Sequence, residues 1–110
     1  MGDWSKDIDC AITVCDNEGT VLYMNERSSA TFNKDGETMI GKSMIPCHSE
    51  KSQEKIREML ANNTNNCYTI EKNGKKKLIF QTPWRENNKV KGLVEISIVL
   101  PNDMPHYKRD

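Results

Sequence analysis

The sequence predicts an α+β fold in which a five-stranded antiparallel sheet carries short helices packed on one face. Three observations support this. Runs of β-branched and aromatic residues with period-two alternation lie at both ends of the chain, and helix-compatible segments lie between them. The links within the first strand pair and among the last three strands are short and rich in Asn and Gly, which suits hairpins. The expected element order is β-β-α-α-α-β-β-β, and helices gathered on one side are its economical packing.

The first strand is "CAITVC", residues 10–15, and it stops at "DNEG", whose Asp, Asn and Gly favour a tight reversal. "TVLYM", residues 20–24, returns beside it. From Asn25 to Phe32 the pattern becomes helix-compatible, and "NKDGE" breaks it. Residues 41–46 form a short irregular or single-turn piece. Ser49 reads as the N-cap of "EKSQEKIREMLAN", in which Ile56, Met59 and Leu60 make one narrow apolar stripe. Lys51 with Glu54, Glu54 with Arg57 and Lys55 with Glu58 suit the exposed side of that helix. "NNTNN" ends it, because asparagine tolerates the left-handed conformation at a helix terminus.

Three strands follow. "CYTIEK" passes through Asn73-Gly74, a type I′ signal, into "KKKLIFQTPW", and Glu86-Asn87-Asn88 leads on to "KVKGLVEISIVL". In the last strand Val90, Gly92, Val94, Ile96, Ile98 and Leu100 share one face, matched on the preceding strand by Leu78, Phe80, Thr82 and Trp84. This face is expected to meet the helices. Ile79, Leu93 and Val99 then leave apolar patches on the sheet's back, a surface for another subunit. Lys75-Lys76-Lys77 reads as a solvated strand edge that discourages edge-to-edge pairing.

At 110 residues the chain fits one domain, expected over residues 10–100, with an extension at 1–9 and a tail at 101–110. Both ends look poorly anchored. Sixteen basic and sixteen acidic residues cancel, so no overall field draws the protein to nucleic acid or to an anionic membrane. A hydrophobic content of 35% suggests a thin core, or one completed by a partner or ligand. No stretch is long enough to span a membrane and the start lacks a signal-peptide pattern, so the expected location is the cytoplasm and the sequon at Asn62 has no glycosylation meaning. Cys10, Cys15, Cys47 and Cys67 match no zinc spacing and are expected to be thiols, most of them structural. No metal site is expected from them.

With this order of elements in place, the chain resembles a PAS domain. "DNEGTVLYMNERSSATF" is similar to the family's first hairpin with Asn25 opening the next helix, "GETMIGKS" to its connection into the middle helices, and "GLVEISIVL" to its last strand. The resemblance spans residues 10–100. It implies sensing or signalling: a small molecule or cofactor held between helices and sheet, a homodimer, and an output passed to a signalling protein such as a sensor kinase. Two features depart from the family pattern. No kinase, cyclase or DNA-binding segment accompanies the domain, and "LPNDMPHYKRD" stands where an acidic-Ile-Thr motif usually leads into a signalling helix, with Pro101 and Pro105 interrupting any helix there. A stand-alone domain acts through association, or the chain is a fragment. The flavin photosensor's Asn-Cys-Arg-Phe-Leu motif is absent, and Met44 lies where its cysteine is expected.

The resemblance places Cys47 and His48 at the entry to the long helix, beside the cavity. Three readings of the pair stay open: a heme or metal ligand supplied by His48 or Cys47, a redox-sensitive thiol made acidic by the helix N-terminus, or a polar loop. The cavity itself is expected between Ile56, Met59 and Leu60 on the helix and Phe80, Val94 and Ile96 on the sheet. Tyr23, Tyr68, Phe80 and Trp84, and Met39, Met44 and Met59, line such a space or simply fill the core. Catalysis is not expected, for there is no phosphate-binding Gly-rich loop, no Ser-His-Asp order and no H-E-x-x-H helix. Two functions compete: a ligand-binding sensory domain, and an interaction or dimerisation module with a filled core.

Overall fold

The computed structural model describes residues 4–33, 37–43 and 50–110. Seven elements run in the order β1 (Ala11–Asp16), β2 (Val21–Met24), α1 (Glu26–Phe32), α2 (Glu50–Asn62), β3 (Asn66–Lys72), β4 (Lys75–Glu86) and β5 (Lys89–Val99). The strands form one sheet in the spatial order β2-β1-β5-β4-β3, every neighbouring pair antiparallel. The five-stranded antiparallel sheet is therefore as expected. Of three expected helices, two lie among the described residues. The proposed Ser49 cap, Met44, Cys47 and His48 lie outside them.

Turn chemistry sets the hairpins. The Asp16 carboxylate accepts from the backbone N–H of Glu18 and of Thr20, at 2.9 and 3.0 Å, and so closes the β1–β2 reversal. Asn73 and Gly74 both take positive φ, 54° and 75°, and Asn87 and Asn88 do likewise at 54° and 65°. Both links are thus two-residue turns of the primed type, whose twist matches that of the strands they join. Asn63 takes φ 55° directly after α2, the left-handed residue expected there.

Helix α1 is capped by Asn25, whose side-chain oxygen accepts from Ser28 N at 3.0 Å. The same oxygen accepts from Ile12 N at 2.9 Å, and the amide nitrogen donates to the carbonyls of Ser5 and Cys10 at 2.9 and 2.8 Å. This side chain is 1% exposed and makes four hydrogen bonds. The N-terminal segment, expected to be loose, is consequently tied down. Glu26 N also donates to Lys6 O at 2.9 Å, and the Ser5 and Tyr23 hydroxyls lie 3.0 Å apart.

Both helices lie on one sheet face, but not the face expected. The core unites Cys15, Val21, Met24 and Leu93 with Ile56 and Met59 of α2, and Met39 and Leu60 pack against it. Cys15 is paired with Leu93, Leu93 with Pro83, Thr13 with Glu95, and Glu95 with Gln81, so these residues and Ile79 share the helix side. Phe80, Val94 and Ile96 belong to the opposite set, in the pairs Phe80 with Ile96, Thr82 with Val94, Val14 with Val94 and Ile12 with Ile96. The alternation of β5 is apolar on both sides, so its pattern does not choose a side. The polar residues mislead, because Gln81 and Glu95 turn toward the helices. The lysine run needs a second correction: β4 is an interior strand, and the edges are β2 and β3. Lys75, Lys76 and Lys77 lie instead at the end of the β3–β4 hairpin, opposite Lys72, Glu71 and Ile70.

Gly92 marks a close approach between β5 and β1. A Cβ there would lie 1.8 Å from the carbonyl oxygen of Cys15, the same oxygen that accepts from Trp84 Nε1 at 3.0 Å. Only glycine leaves that space open.

Removing the Asn25 amide should leave buried donors and acceptors without partners, a cost of about 3 kcal/mol. Urea unfolding of Asn25→Ala is expected to show that loss together with faster amide exchange at Ile12 and Ser28. Wild-type stability would contradict the role given to this side chain.

Candidate functional site

On the helix side of the sheet an open-mouthed cavity of about 550 Å³ lies between α1, the segment 37–43, and strands β1 to β5. Its lining includes Val21, Met24, Phe32, Met39, Ile70 and Ile79, with Thr13, Tyr68, Glu95, Lys42 and Lys72 as the polar members used below. Such a volume suits a small organic ligand.

Each wall has a local cause. Met24 and Val21 point inward because they pair with Thr13 and Cys15 of β1. Phe32 arrives from the end of α1, whose Ser28 is buried and hydrogen-bonded through its hydroxyl to that of Thr13. Segment 37–43 is held to the edge of β2: Val21 N donates to Lys42 O at 2.9 Å, Gly41 N donates to Val21 O at 2.7 Å, and Thr20 bridges to Ser43. Asn33 at the end of α1 accepts from Met39 N at 3.0 Å through its side-chain oxygen, which sets Met39 against the core. Lys42 pairs with Glu37 at 3.2 Å on the exposed rim.

The sheet floor carries a polar ladder. Asn66 Nδ2 of β3 donates to Gln81 Oε1 of β4 at 3.2 Å, and Gln81 Nε2 donates to Glu95 Oε1 of β5 at 3.0 Å. Gln81 is 3% exposed with both ends of its amide satisfied. Tyr68 stands on the same face, in register with Ile79. Burial pushes its phenol pKa up, and the negative charge of Glu95 adds to the effect. The side chain is 40% exposed and its hydroxyl is available as a hydrogen-bond donor.

The expected site residues separate into three groups. Ile56 and Met59 are buried in the core with Leu60 packed against it, as the stripe implied, but none of the three is on the cavity lining, so the expectation that they wall the cavity is corrected; the core meets the cavity through Val21 and Met24. Phe80, Val94 and Ile96 are on the reverse of the sheet, so the expectation that they floor the cavity is corrected. Cys47 and His48 lie outside the described residues. Of the aromatic and methionine candidates, Tyr68 and Met39 line the space, whereas Tyr23 and Trp84 do not. Thr13, Gln81 and Glu95 were missed. Their signal in the sequence is a polar residue at each of three positions that alternate with apolar ones, easily taken for a wet face.

Among the described residues no group of three or more His, Cys, Asp or Glu side chains is placed to hold a metal ion. The thiols differ in setting: Cys15 is buried, Cys10 half-buried and Cys67 exposed. Desolvation pushes the Cys15 thiol pKa up, partly offset by a hydrogen bond with the Leu93 backbone, while Asp16 and Glu95 add a small upward push.

The family model described as PAS fold matches residues 5–100. Solved structures share the architecture at low identity. A sensory box sensor histidine kinase from Vibrio cholerae has a TM-score of 0.69 at 16% identity, covering 86% of this chain and 84% of its own. The PAS domain of histidine kinase ThkA has a TM-score of 0.68 at 14% identity, covering 83% of this chain and 99% of its own. VqmA, a Vibrio cholerae protein whose dimer has been solved in the absence of target DNA, has a TM-score of 0.72 at 15% identity, with 89% of this chain matched to 49% of that one. No curated protein sequence matches the chain significantly.

The raised Cys15 pKa has a definite sign. Above the pH at which an unfolded thiol ionises, the unfolded chain has lost a proton that the folded chain still holds, so stability falls as pH rises toward the folded value. Below that range the group contributes no slope. Urea unfolding at pH 8 to 10.5 (about the interval that spans thiol ionisation) is expected to show a falling limb that is shallower in Cys15→Ala, and thiol labelling at pH 8 should modify Cys67 well before Cys15.

Proposed function

The chain belongs to the PAS fold family, and from that premise we propose that it is a sensory domain that binds a small molecule in the cavity beneath α1 and signals through protein association. The fold is that of a signal-transduction module. The cavity is the observation that supports ligand binding: about 550 Å³ with an apolar wall on one side and the Thr13, Tyr68 and Glu95 cluster on the other. A filled core would present neither the space nor the polar floor. The role is non-catalytic, the expected setting is the cytoplasm, and the natural output partner is a sensor kinase or another regulator. No helix among the described residues is long and apolar enough to cross a membrane.

Native mass spectrometry of freshly purified protein tests this. A bound mass that disappears on denaturation is expected, and Ile70→Trp, which fills the mouth from an edge strand, should abolish it while leaving the circular dichroism unchanged. The same mass retained in Ile70→Trp would place any ligand elsewhere. The visible spectrum of the same sample addresses Cys47 and His48: a Soret band lost in His48→Ala supports heme, and a featureless spectrum removes both heme and flavin.

A second reading is favoured by the reverse of the sheet. Val14, Phe80, Val94 and Ile96 make a half-buried apolar surface there, and Ile98 at its margin is exposed. A homodimer through this face would bury it. Sedimentation equilibrium is expected to give a dimer that Ile96→Glu converts to monomer. A wild-type monomer would leave the output to a different partner.

A further inference from the structure

The Glu95 carboxylate has one oxygen engaged and one without a partner among the described residues. Oε1 accepts from Gln81 Nε2 at 3.0 Å, and Gln81 is held in turn by Asn66 at 3.2 Å, so the amide cannot rotate to offer Glu95 a second donor. Thr13, the cross-strand neighbour of Glu95, bonds through its hydroxyl to that of Ser28 and makes no hydrogen bond to Glu95. Glu95 lies on the cavity lining, half-buried and among apolar walls. The cationic groups of the same lining are Lys42, already paired with Glu37 at the rim, and Lys72 near the hairpin end. No described cation is paired with Glu95.

Building on the ligand-binding reading above, we propose that Glu95 is the specificity-determining residue of the cavity, and that it selects a small, largely apolar molecule presenting an N–H donor, an amine or a protonated heterocycle, over one presenting a carboxylate. The physical reason is an asymmetry. A donor meeting the open carboxylate oxygen gains a charge-assisted hydrogen bond in a partly desolvated place, whereas a second carboxylate there meets like charge with no compensating donor. Tyr68, on the same polar side of the cavity, offers the ligand's acceptor atoms a hydroxyl donor. Val21, Met24 and Ile79 accept the apolar body.

A matched probe pair tests this: 2-phenylethylamine and 3-phenylpropionate, each titrated at millimolar concentration into the full chain and followed by 1H–15N correlation spectra. The Gln81 side-chain amide reports on the site through its hydrogen bond to Glu95. The amine is expected to shift the Gln81 resonances and to bind roughly tenfold or more tightly than the acid. Glu95→Gln, which keeps the size and the capacity to bond Gln81, should bring the ratio close to one. Equal binding of the two probes, or a preference unchanged in Glu95→Gln, overturns the assignment while leaving the ligand-binding cavity intact. Binding of neither probe, with native mass spectrometry showing no bound mass, overturns both. A carboxylate preference in wild type that survives in Glu95→Gln would transfer recognition to Lys42 or Lys72 and overturn the Glu95 role.

Discussion

Asn25 is the point on which the architecture turns. It is a single buried side chain with two acceptor sites and two donors, all used, and the four backbone groups it meets come from the N-terminal segment, from β1 and from α1. A chain leaving β2 has many directions open to it. By accepting from Ser28 N and Ile12 N through one oxygen, Asn25 sends α1 back across the sheet over Thr13 instead of out into solvent. The Ser28–Thr13 hydroxyl pair then fixes the height of α1 above the floor. Cavity, roof and N-terminal brace all descend from that one residue.

The remaining order follows from the hairpins. Four asparagine or glycine positions with positive φ make the two right-hand links, so β3, β4 and β5 assemble locally, and β5 offers its free edge to β1. The β1–β5 pairing is the long-range step, and Gly92 is where it becomes most demanding. There the backbone of β1 approaches so closely that Trp84 can reach over β5 to the Cys15 carbonyl. With that pairing formed, α2 has one place to bury Ile56 and Met59, against Cys15 and Leu93.

Much of this was legible because it depends on local chemistry. Asn73-Gly74 and the asparagines at 87 and 88 announce their turns, Asn25 announces a cap, and the stripe of Ile56, Met59 and Leu60 announces which side of α2 is buried. The side of the sheet that meets the helices was not legible. Period-two alternation distinguishes two faces but labels neither when both are apolar, as with Leu93 beside Val94 and Ile79 beside Phe80. The usual tie-breaker, that polar residues face water, points the wrong way here, because Thr13, Gln81 and Glu95 satisfy one another or α1 on the inner side. Information of that kind resides in cross-strand register, which a single strand read by itself does not contain. Cys47 and His48 lie outside the described residues, so their chemistry rests on the sequence.

That polar inner side is informative in its own right. Stability alone would favour valine or leucine at positions 81 and 95, since a buried amide and a half-buried carboxylate must recover by hydrogen bonding what they lose in hydration. The Asn66–Gln81–Glu95 ladder achieves this for Gln81 and leaves one oxygen of Glu95, a residue of the cavity lining, without a protein partner among the described residues. Local rules of good packing are broken most tellingly where something else is being selected. The break falls beside a cavity that combines space, apolar walls and the Tyr68 hydroxyl. A core serving only an interaction surface on the sheet's reverse gains nothing from such an arrangement, whereas the ligand-binding role proposed above would use it.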